Sequence, residues 1–169
     1  MKIDLISIKS LGEIKRDKDV SSWLRSEEIK VNFFDGKPLP FIITIEEDIE
    51  QDIDSFIIKK IDLAVQSFLN LDSKYRENIS ELVYENYKEM LDESDIEPLD
   101  VKEKSDIWKY VHPKEIYISQ RGKRGRGDED IYVKISCKCD WEEEHGLQLV
   151  FKKGEKITRV SSQDGDLTT

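Results

Sequence analysis

The chain has 169 residues, 37% apolar and 38% charged, and its 27 basic and 37 acidic side chains give a formal charge of −10. A chain of this length buries roughly 70% of the surface its unfolded form exposes, so a core needs no metal or disulfide staple, and two cysteines make no disulfide framework. A negative surface repels phosphate backbones and anionic lipid and attracts basic proteins, which argues against nucleic acid or membrane as partners. The charged beginning MKIDLISIKS, with no apolar run of about 18 residues, leads us to expect a cytoplasmic protein.

Residues 1–46 read as strands. Ile29, Val31 and Phe33 alternate with Lys30, Asn32 and Phe34, and Phe41, Ile43 and Ile45 alternate with Ile42 and Thr44. Asp35-Gly36 between the two runs signals a hairpin, because both central residues of a type I′ turn need positive φ. Pro38 and Pro40 cannot donate to a ladder, so the second strand is expected to begin at an edge. Over about 47–92 the period becomes helical. Ile49, Ile53, Phe56, Ile57, Ile61, Ala64, Val65 and Phe68 form one stripe; Tyr75, Ile79, Leu82, Val83, Tyr87 and Met90 form a second, with Asp72 as N-cap. The short link around Asn70–Asp72 predicts an antiparallel helix pair. DESDIEPLDVKEK, residues 92–104, is an acidic connector and the best candidate for an internal boundary. From about 105 to 169 a turn near Asp106–Val111 leads into four strands, expected at 115–119, 130–140, 146–152 and 156–161, with the glycine-rich QRGKRGRGDED as a hairpin tip. Together these predict one α+β domain spanning 1–169, with antiparallel strands at both ends and a central antiparallel helix pair packed on the sheet.

Cys137 and Cys139, followed by Glu144 and His145, contain the ligand types of a zinc site. Their spacing opposes that reading: Ile131, Val133, Ile135, Cys137, Cys139 and Trp141 share one parity, so the thiols continue an apolar stripe. His145 shares parity with Leu147, Leu149 and Phe151, which predicts a partly buried structural histidine rather than an acid–base group. His112, before Pro113, is the other histidine. GxSxG, SxxK, GxGxxG and GxxxxGK[ST] motifs are missing. The residues thus indicate no catalytic residue and no cofactor, and leave Cys137, Cys139 and His145 as the candidate metal ligands.

Two stretches, DIWKYVHPKEIYIS and EDIYVKISCKCDWEEEHGLQLVFKKGEKITRVSSQDGDLT, resemble an uncharacterised bacterial domain family of unknown function, most sharply in the W-E-x-E-H-G-L run from Trp141 to Leu147. The layout of LGEIKRDKDVSSWLRSEEIKVNFFDGK is similar to the same group. Some relatives resemble immunity proteins of polymorphic toxin systems, and the resemblance carries over no catalytic residue. An architectural reading of Trp141, Glu144, His145 and Gly146 gives a buried indole, a carboxylate that satisfies backbone donors and a glycine for a turn. The expected function is non-enzymatic binding of a basic protein such as a toxin, with the chain as an immunity-type inhibitor. The alternatives are a small metal-dependent or hydrolytic enzyme built on Cys137, Cys139, Glu144 and His145, and a regulatory scaffold. The sequence leaves the oligomeric state open.

Overall fold

A computed structural model describes residues 4–44, 55–119 and 130–167. The strands β1 (Leu5–Ile8), β2 (Gly12–Arg16), β3 (Trp23–Val31) and β4 (Lys37–Thr44) precede the helices, and β5 (Val111–Ser119), β6 (Tyr132–Cys139), β7 (Glu142–Lys152) and β8 (Lys156–Ser161) follow them. All eight lie in one sheet in chain order. Every neighbouring pair is antiparallel except β4 and β5, which run parallel through Phe41–Ile116, Ile42–Tyr117 and Ile43–Ile118. A parallel pair needs a crossover, and the helices α1 (Ser55–Leu69), α2 (Ser73–Asn78) and α3 (Ser80–Glu93) lie within it.

This overturns the expected α+β arrangement of two separate strand groups with a central helix pair. The sheet is mixed and continuous. The helices do not form a hairpin pair either: α1 lies against β1 and β6, whereas α3 lies against β8 and a 3-10 turn at Lys104–Tyr110. The second helix breaks at Ile79, which ends α2 and precedes α3. Asp72 caps α2 as expected, accepting from the amides of Lys74 and Tyr75 at 3.1 and 3.2 Å. Leu82, assigned to the apolar stripe, is 42% exposed. Ile49 and Ile53, and the glycine-rich run at 120–129, lie outside the described residues.

The β3–β4 connection is longer than a two-residue hairpin. β3 ends at Val31, and a 3-10 turn at Asn32–Phe34 precedes Asp35 and Gly36, both at positive φ. That turn puts both Phe33 and Phe34 in the core, where strand alternation would bury only one. Phe33 then packs against Phe34, Phe68, Tyr75, Trp108 and Phe151. Arg76 ties α2 to the same turn, donating to the Phe33 carbonyl at 3.0 Å and to Asp35 at 2.9 Å. Pro38 and Pro40 sit opposite Lys30 and Glu28 inside the sheet, but before the stretch that pairs with β5. The acidic connector is held down: Ile96, Leu99 and Val101 pack against the core, and the Leu99 amide donates to the Tyr87 hydroxyl at 2.9 Å.

Candidate functional site

Cys137 and Cys139 belong to the main core, 0% and 3% exposed, with Ile131, Val133 and Ile135. Burial pushes the Cys137 thiol far up and the Cys139 thiol up to about 11, so neither supplies thiolate near neutral pH. His145 is on the opposite side of the problem, with 61% of its side chain exposed. The expectation of a partly buried histidine fails because the β6–β7 ladder slips. Leu147 pairs with Cys137 and Glu142 with Cys139, leaving four residues of β7 opposite one of β6, and parity does not carry across such a bulge. The structure therefore does not bring the thiols and His145 together. Among the described residues no group of three or more His, Cys, Asp or Glu is placed to hold a metal ion.

The bulge explains the rest of the Trp141–Leu147 run. Gly146 has φ +66°, and a Cβ there would stand 2.5 Å from the Cys137 carbonyl oxygen, so only glycine fits. The carboxylate that satisfies backbone donors is Glu142, not Glu144: its Oε1 accepts from the amides of Glu144 and His145 at 3.1 and 3.2 Å. Trp141 is buried, stacks edge-on against Tyr87, and donates from Nε1 to Asn86 Oδ1 at 2.9 Å, locking the β6–β7 turn to α3. His112 instead meets Asp140, Nε2 to Oδ1 at 2.8 Å, with both side chains nearly half exposed.

The sheet face turned away from the main core is organised in rows that period-two alternation alone cannot align. One row runs Lys15, Arg25, Ile42, Tyr117, Lys134, Val150 and Arg159 across successive strands. Asp17 is 2.6 Å from Arg25, and this pairing, helped by the Val20 and Asp19 amides, holds its carboxyl at about 2. Tyr117 donates to Glu115 at 2.6 Å, and burial together with that carboxylate pushes its phenol up. The Lys134 ammonium stands 5.0 Å from the Tyr117 ring centre, and burial pulls its pKa down.

Over β6–β8 this face is covered by residues 162–167. Gln148 is fully buried, and its Nε2 lies 3.1, 2.8 and 3.0 Å from Ser161 Oγ, Asp164 Oδ1 and the Asp166 carbonyl. Its Oε1 has no partner among the described residues. Arg159 pairs with Asp164, Thr158 donates to the Leu167 carbonyl at 2.8 Å, and Leu167 closes a small cluster with Tyr132 and Val150. No motif pointed to this arrangement; the one available signal was a glutamine, Gln148, inside the apolar run LQLVF.

Acidity is concentrated on α3, which packs against β8, and on the connector that follows it. Residues 77–106 hold eleven carboxylates and three lysines, which accounts for eight of the chain's ten net negative charges. Glu81, Glu85, Glu89 and Glu93 recur every four residues along α3, all exposed, with Glu77 one step before them. Lys104 pairs with Glu81 and attracts Glu85 as well, while Glu85, Glu89 and Glu93 repel one another at four-residue steps.

Against this geometry, a family model described as a domain of unknown function, DUF6985, matches residues 10–167, and the chain belongs to that family. No curated protein and no solved structure matches it. Among the described residues no helix is long and apolar enough to cross a membrane.

Proposed function

We propose that the chain is a non-enzymatic protein-binding domain whose α3 face docks a basic protein, in the manner of an immunity-type inhibitor that occludes a basic toxin. The observation that carries this reading is the glutamate column on α3. Like charges four residues apart weaken a helix, and Glu93 faces the negative end of the helix dipole, so local stability gives no reason for the arrangement. A cationic partner does, because carboxylates repeating about 6 Å apart along a helix steer and register a surface bearing Lys or Arg.

The test compares the tagged chain with the variant Glu85→Gln, Glu89→Gln, Glu93→Gln as bait in lysate of the native host, at about 50 and about 300 mM salt, where screening lengths differ by more than twofold. A single basic protein should be held by the parent chain, loosen with salt, and bind the variant at least tenfold more weakly. Equal capture by both baits, or no basic partner at low salt, would defeat the proposal.

A further inference from the structure

The segment 162–167 is irregular chain, yet it is held as a peptide ligand is held. Its contacts divide into two kinds. Gln148 and Thr158 bond to the carbonyls of Asp166 and Leu167, contacts that read main chain alone. Three further contacts engage side chains of the segment: Asp164 is taken by the Gln148 amide and the Arg159 guanidinium, Leu167 is seated on Tyr132 and Val150, and Gln163 donates to the Cys137 carbonyl at 3.2 Å. Backbone bonds that supply affinity and side-chain seats that supply specificity are the division of labour in peptide recognition. Gln148 adds a second point. A fully buried amide is costly unless satisfied, and the partners of this one are Ser161 and the segment itself, while its Oε1 has no partner among the described residues.

We propose that the outer face of β6–β8 is a recognition site for an acidic segment of another protein that turns as this one does at Gly165 (φ +80°, with the Asp166 amide donating to Asp164), carrying an aspartate and, three residues on, a leucine-like side chain, and that residues 162–167 occupy this site in cis as its resident competitor. The site is separate from the α3 face and does not rest on the function proposed above. A covalently attached occupant acts at an effective concentration in the millimolar range, so a partner segment gains access in proportion to how often the strap lifts.

The test uses the full-length chain and a fluorescein-labelled peptide with the sequence of residues 162–169, followed by anisotropy. Asp164→Ala with Leu167→Ala in the protein weakens the resident strap and leaves the seat intact. That variant should bind the peptide saturably and at least tenfold more tightly than the parent chain. Binding should disappear when Gln148→Glu is added, or when the peptide's leucine is replaced by alanine. Absence of saturable binding to a variant with a native circular dichroism spectrum overturns the proposal. Concentration-dependent dimerisation without peptide also overturns it, by assigning the seat to a second copy of the chain. Should the variant not fold, hydrogen exchange on the parent chain decides. Excess peptide should speed exchange at 164–167 while β6–β8 stay protected; exchange that peptide leaves unchanged, or opening only together with β7 and β8, counts against the site.

Discussion

At the scale of single residues, Glu142 and His145 carry opposite expectations. Glu142 accepts two backbone amides of the bulge and is largely covered, whereas His145 stands in solvent. Replacing Glu142 by alanine strands two donors and should cost about 1–2 kcal/mol in urea unfolding. His145→Ala should stay within about 0.5 kcal/mol. An equal loss in both would show that the bulge is held by something other than the carboxylate. The cysteines yield a chemical test of the same kind. With Cys139 at about 11 and Cys137 higher still, iodoacetamide at pH 8 should leave both unlabelled over an hour in the folded chain and alkylate both in urea; rapid labelling of the native chain would contradict their place in the core. The stripe from Ile131 to Trp141 was legible because an unbroken strand keeps its parity. His145 was not, because a bulge changes parity without changing composition, and only the glycine at 146 hinted at it.

Helices and strands were legible to the extent that their periodicity was local. Asp72 announces its cap, and Lys153-Gly154 announces the β7–β8 turn, where Gly154 at φ +71° runs so close to α1 that a Cβ would meet the Ala64 carbonyl oxygen at 2.0 Å. The 3-10 turn at Asn32–Phe34 escaped, since two adjacent phenylalanines fit an alternating strand as well as they fit a turn that buries both. Along α3 the self-repelling glutamates make a prediction of stability. Converting Glu85, Glu89 and Glu93 to glutamine relieves two like-charge steps and an unfavourable dipole contact, worth about 0.2–0.5 and 0.3–1 kcal/mol respectively. The triple variant should therefore melt a few degrees higher at low salt by calorimetry, with the gain shrinking at high salt. A lower melting temperature would mean that the column makes favourable contacts within the chain.

For the molecule as a whole, local pattern was silent on the one pairing that determines the architecture. Phe41 and Ile116 are seventy-five positions apart, and nothing in either strand names the other. The expected two-part layout therefore failed at the β4–β5 seam while most single strands were placed near their true positions. That seam should also close last, because its loop is long and the hairpins on either side are short. Ile43→Val and Ile118→Val, each costing about 1 kcal/mol, should speed unfolding about fivefold and leave the folding rate nearly unchanged. Slowed folding would place the seam in the nucleus.

The prolines of β4 acquire a further meaning during synthesis. As the nascent chain leaves the ribosome, β1–β4 are complete long before β5 exists, and the β4 border waits without its neighbour, bearing Phe41 and Ile43. An unpaired apolar strand is an invitation to intermolecular stacking. Pro38 and Pro40 offer no amide protons along that border, so a foreign strand finds little more than the three positions that Ile116, Tyr117 and Ile118 later occupy. They act as gatekeepers for a sheet that is, until its second half arrives, open on the side where it will be joined.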